Sequence, residues 1–189
     1  MPDIQYLLDK YKIHTSAMDL LKRWEEPHRA YHSKEHLYDL FRQIEDDYQK
    51  GVISNLEKEK LELIALFHDI IYEPGRTDNE ERSANLLMSF CDNQNDSSIL
   101  EIYEAILATA NHANISPLSA IFNKYDMNIV ERGFDELLEW EHGIYQEYKS
   151  IGDDGYKKGR LQFLKSLPDK YPDNRANLEK LIDWVNSNY

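Results

Sequence analysis

LIALFHDIIYEP, residues 63–74, is the stretch on which the fold turns. Leu61, Ile64, Ala65, His68 and Ile71 recur at the i, i+3, i+4, i+7 spacing of one helix face. Leu63, Leu66 and Phe67 make the opposite side apolar as well. The pattern predicts a helix over 56–72, closed by Glu73-Pro74, and a helix apolar nearly all round belongs at the centre of its fold. Yet His68 and Asp69 stand side by side within it. An imidazole and a carboxylate in the most apolar segment of a chain need a reason.

Outward from that segment the spacing stays helical. Leu37, Leu40, Phe41, Ile44 and Tyr48 predict a helix between Ser33 and Lys50, with Ser33 as a plausible N-cap. Ile99, Ile102, Tyr103 and Ile106 mark another. A longer one is expected over Met127–Tyr148, with Asp126 at its start, and the last two over 155–167 and 174–187, parted by Pro168 and Pro172. No stretch alternates cleanly, and Asp154-Gly155 is flanked by polar residues rather than by strands. The expected fold class is all-α, a helical bundle forming a single domain over 1–189.

Composition narrows the function. The chain carries a net charge of −13, which argues against duplex nucleic acid, whose non-specific binding depends on Lys and Arg neutralising phosphates. Cys91 is the only cysteine, so neither an internal disulfide nor a cysteine-built zinc site is available. No run approaches the roughly 18 apolar residues of a membrane span. The start, MPDIQYLLDKYKIH, has no apolar core of signal-peptide length, so the expected compartment is the cytoplasm, away from any membrane.

Three places can carry chemistry. Neutral imidazole and carboxylate are standard ligands for divalent metals, and an ion relieves the cost of a buried carboxylate. His68-Asp69 fits that role, although alone the pair reads more simply as a capping or salt-bridging Asp69 beside a core histidine. His32 and His36, in YHSKEH, are spaced i, i+4 and can share a helix face near its start. Asp126 lies on the side of Val130 and Phe134, and its bland reading is an N-cap.

Taken together, a histidine early in one helix, a His-Asp pair in a second and an isolated aspartate at a later helix resemble the H…HD…D signature of the HD-domain metal-dependent phosphohydrolase superfamily. The matching positions are His32, His68 with Asp69, and Asp126. Arg29-Ala30-Tyr31-His32 with His36, then FHDIIYEPGRTDNEERSA, LATANH, and Tyr156 with Gly159-Arg160 look closer still to its small single-domain predicted phosphohydrolases. The resemblance spans about residues 24–160 and places a metal-site core at about 24–150.

The resemblance implies metal-dependent hydrolysis of a small phosphate ester, most readily a nucleotide, by a metal-activated water. His32, His68, Asp69 and Asp126 would hold one divalent ion: manganese, iron, cobalt, nickel, zinc or magnesium. Some relatives hold a second ion with extra histidines; here only His112 lies between the pair and the last aspartate, with Glu80 or Glu81 as substitutes, so a second ion is left open. Asp69, Glu80 and Glu81 are the expected catalytic groups, one glutamate serving as base or orienting the water. Lys34, His36, Arg82, His112 and Arg160 are the expected substrate contacts. For Glu80, Glu81 and Arg82 the plain alternative is a charged first turn favoured by the helix dipole. Two other readings stay in view: a di-iron HD-type oxygenase, and a non-catalytic scaffold that binds a nucleotide.

Overall fold

A computed structural model describes all of residues 1–189. It is all-α; the only β-type pairing is one isolated bridge between Ile13 and Cys91. The chain divides into two compact units, Met1–Asp126 and Met127–Tyr189.

The first unit contains α1 (Ile4–Lys10), α2 (Ala17–Arg23), α3 (Lys34–Gln49), α4 (Asn55–Phe67), α5 (Asn79–Ser89), α6 (Ser97–Thr109) and α7 (Pro117–Asp126). As the apolar pattern requires, α4 is central and packs against α3, α5, α6 and α7. Leu61, Leu63, Ile64, Ala65 and Phe67 are fully buried on it. Its start is fixed by a capping box: the Glu57 amide donates to Ser54 Oγ (3.2 Å) and the Ser54 amide donates to Glu57 Oε2 (2.7 Å). Aspartate caps open α1 and α6, where Asp3 and Asp96 accept from first-turn amides.

The end of α4 departs from the expected 56–72. The helix stops at Phe67, with His68 at its C-cap, so the His-Asp pair sits at a helix end rather than within one. Side chains take the hydrogen bonds that further helix would have supplied. Arg29 Nη2 donates to the Ile70 carbonyl (3.3 Å), and His28 Nε2 lies 2.7 Å from the Tyr72 carbonyl. Ser83 Oγ accepts from the Ile71 amide (3.1 Å) and donates to the Ile71 carbonyl (3.2 Å). Asn79 accepts from the Glu73 amide (3.1 Å) and donates to the Glu73 carbonyl (3.0 Å). Buried backbone groups must be paired, and these partners let the chain leave the helix while staying buried. Apolar periodicity does not see them.

The second unit begins with a 3-10 turn (Met127–Glu131), then α8 (Phe134–Tyr148), α9 (Asp153–Leu164), the short α10 (Leu167–Lys170) and α11 (Arg175–Asn188). The long helix expected from Met127 is therefore broken at Arg132-Gly133. Glu136 accepts from the Gly133 amide (3.2 Å) and starts α8 afresh. Asp126 closes α7 instead of opening a long helix, which removes its N-cap reading. The helix expected over 155–167 starts earlier and ends at Leu164, and Pro168 lies inside α10 rather than between helices. No helix is long and apolar enough to cross a membrane.

Candidate metal centre

Helix ends and the loops beside them in the first unit bring the ionisable side chains together. His36 lies in the first turn of α3, on the buried face it shares with Leu37 and Leu40. His32 is in the loop just before. His68 caps α4 and Asp69 follows it; Asp126 is the last residue of α7. His112 follows α6 with a backbone φ of 53°, the left-handed region that costs a side-chain-bearing residue about 1–2 kcal/mol. Such costs are concentrated at functional sites.

The ligand-capable atoms of His36, His68 and Asp69 all lie within 4.8 Å of one another. His68 Nε2 is 3.3 Å from Asp69 Oδ2 and 3.6 Å from Asp126 Oδ1. His36 Nε2 is 3.2 Å from Asp126 Oδ1, His112 Nε2 is 3.2 Å from Asp126 Oδ2, and His32 Nε2 is 3.9 Å from Asp69 Oδ2. Trp24 lies against His36 and His68, at ring separations of 6.5 and 5.6 Å, and Phe122 meets His68 edge-on at 5.1 Å. The cluster thus has an apolar wall on one side.

His68 Nδ1 is 3.0 Å from the Ala65 carbonyl, so that nitrogen carries a proton and donates. In the neutral ring Nε2 is then a lone pair aimed at two carboxylates, an arrangement of acceptors facing acceptors. A proton or a cation must lie between them. Neither His36 Nε2 nor His68 Nε2 finds a well-aligned hydrogen-bond partner, although both are buried and close to carboxylate oxygens. Oriented imidazole nitrogens and carboxylates with unsatisfied valence are the donor set a divalent ion takes, and a ligating histidine ordinarily donates its other nitrogen to a carbonyl, as His68 does. The residues therefore fit a metal.

The electrostatics show how tightly these groups are coupled to one another. Burial alone would lower the His68 pKa, but the Asp69 and Asp126 carboxylates hold it well above the usual histidine range. Burial would raise Asp69, yet His68, with His32 behind it, keeps it far below the usual carboxylate range. Asp126 is likewise held low against its burial by His112, His36 and His68. Glu80, half-buried in the first turn of α5, is raised by burial first and then by the charge of Asp69.

The structure thus gathers His32, His68, Asp69 and Asp126, and sets His36 and His112 against the same carboxylates. Of the two glutamates, Glu80 feels the cluster and Glu81 is exposed. The cations expected at a substrate are each paired: Lys34 with Glu25 (2.6 Å), Arg82 with Glu73 (2.7 Å) and, in the second unit, Arg160 with buried Glu141 (2.6 Å). Sequence spacing flagged His36 but not its closeness to Asp126. Nor did it single out His28, Asn79 or Ser83, whose work is to hold backbone.

The chain was compared with family models, with curated proteins and with solved structures. It matches none of them.

Proposed function

We propose that the first unit is a metal-dependent phosphohydrolase of the HD-domain kind, acting on a small phosphate ester such as a nucleotide. The observation that carries the reading is the convergence of the buried His36 and His68 nitrogens, neither in an aligned hydrogen bond, on Asp69 and Asp126, with Asp69 directly following His68 at a helix end. His36, His68, Asp69 and Asp126 would hold the ion, with His32 beside Asp69 and His112 beside Asp126. A bound divalent ion supplies Lewis acidity and brings the pKa of a coordinated water towards neutrality.

The chain's own groups do the rest. Ala65 keeps the His68 tautomer, and the Trp24–Phe122 wall limits water on one side. Glu80, raised by burial at the edge of the cluster, is a better proton acceptor than an ordinary glutamate. Neither Lys34 nor Arg82 is a free cation, so a phosphate would depend on the ion more than on side-chain charge. The cytoplasm is the compartment this reading implies.

The test is phosphate release from an aryl phosphate and a nucleotide panel, by native protein and by Asp69→Ala, after loading with manganese, zinc or iron. Release by the native protein, lost in the variant, is expected. Metal uptake with no release from any ester would turn the reading towards the oxygenase or the nucleotide-binding scaffold. The oxygenase gains from one observation: His112 within 3.2 Å of Asp126 enlarges the ligand set beyond four residues. Oxygen consumption by the iron-loaded protein distinguishes it.

A further inference from the structure

We infer that Arg29 is a positioning residue for this centre, locking together two of the chain segments that carry its ligands, the loop into α3 and the turn out of α4. The inference rests on the metal reading above. Arg29 is a charge whose side chain is fully shielded from solvent. Its only carboxylate partner is Glu26, 3.3 Å from Nε. Nη1 donates to the His32 carbonyl (2.9 Å) and Nη2 to the Ile70 carbonyl (3.3 Å). One guanidinium therefore spans the loop that leads into α3 and the turn that leaves α4, segments 41 residues apart for the Arg29–Ile70 pair. Each acceptor is at, or next to, a ligand-capable residue: His32 itself, and Ile70 beside Asp69.

The surroundings restrict what else could stand there. Trp24 and Tyr72 lie 5.3 and 5.5 Å from the guanidinium carbon, so the plane is enclosed by rings. Trp24 in turn donates to the Leu66 carbonyl (3.1 Å), and the Tyr72 carbonyl is held by His28 (2.7 Å). A buried cation is costly unless fully engaged, and an apolar side chain would fill the space more cheaply. What an apolar residue cannot do is hold two carbonyls from separate segments at a fixed spacing. The planar fork of arginine does this, and the point charge of lysine does not. The fork also lies near the C-terminal, electronegative end of α4, where a cation is favoured. Ser83 and Asn79 pin Ile71 and Glu73 from α5, so Arg29 fixes the one carbonyl of that run nearest Asp69.

The experiment is calorimetric titration of metal-free protein with manganese, at a temperature well below unfolding, paired with the thermal midpoint of each metal-free protein. Arg29→Lys and Arg29→Gln are compared with native protein and with Ser54→Ala, which weakens the cap at the far end of α4 and touches neither of the carbonyls to which Arg29 donates. Loss of a residue that orients metal ligands commonly lowers affinity about 10–100-fold, and a loss of that size is expected for both Arg29 variants. Ser54→Ala should lose thermal stability and keep its affinity. Folded Arg29 variants that bind manganese like native protein overturn the inference, as does failure of both to fold, which would make Arg29 a stability residue only. Native protein that takes up no metal would show in the control and would remove the metal reading itself.

Discussion

At the scale of single residues, His32 lies in the loop before α3 and His36 in its first turn, and the two have different surroundings. His36 is buried, with Nε2 3.2 Å from Asp126, whereas His32 is more exposed and 3.9 Å from Asp69. His36→Ala should therefore weaken manganese binding by more than the about 10–100-fold typical of an outer partner, and His32→Ala by less than His36→Ala. Titration of both variants checks the order, and equal losses would show that the two histidines share the role.

Glu62 gives a second residue-level outcome away from the site. It is buried on α4, and its pKa is raised to about 7, first by burial, with Lys58 opposing and Glu45 and Glu59 adding. A carboxyl raised on folding contributes stability that is whole below its unfolded value of 4.5 and is lost as pH rises through about 7. Glu62→Gln removes that loss. Urea unfolding should find the variant more stable than native at pH 8, by on the order of 2 kcal/mol, and close to native near pH 4.5. The same difference at both pH values would contradict the assignment.

Among the elements, α4 sets the fold, and its two ends illustrate what the sequence discloses. The N-terminal end is legible: Ser54-x-x-Glu57 before an apolar run is a capping box, and the structure forms it. Ser54→Ala should cost about 1 kcal/mol of unfolding free energy, measured in urea. A change within error would mean that Glu57 holds the turn alone. The C-terminal end is not legible. The apolar spacing of Ile70 and Ile71 continues as if the helix did, and the groups that stop it come from residues 28, 29, 79 and 83. Asp126 teaches the same lesson. Its side of the apolar pattern was readable, but α7, the helix it closes, and the break at Gly133 were not. The all-α class and the central helix followed from local spacing, whereas the gathering of His68, Asp69 and Asp126 was what the family resemblance implied. The place of His36 and the backbone clamp depend on contacts between elements distant in sequence.

Across the molecule, charge and the cluster act in one direction. A net charge of −13 favours cations over anions near the surface, and the cluster adds two carboxylates held in their charged form. An ion that binds the folded chain and not the unfolded one stabilises by mass action, by about 2.7 kcal/mol at about 100 times its Kd. Saturating manganese should raise the unfolding midpoint by several degrees and a chelator should reverse it. A midpoint indifferent to both would show that the acceptors around His68 are satisfied by protons alone.

The most direct measurement of the central claim is the metal content of the purified protein by elemental analysis, before and after chelation and reloading, for the native chain and for folded Asp69→Asn. This account predicts close to one ion or more per native chain after reloading, and little in the variant. Native protein that stays folded and retains no manganese, iron, cobalt, nickel, zinc or magnesium under any loading condition would contradict it.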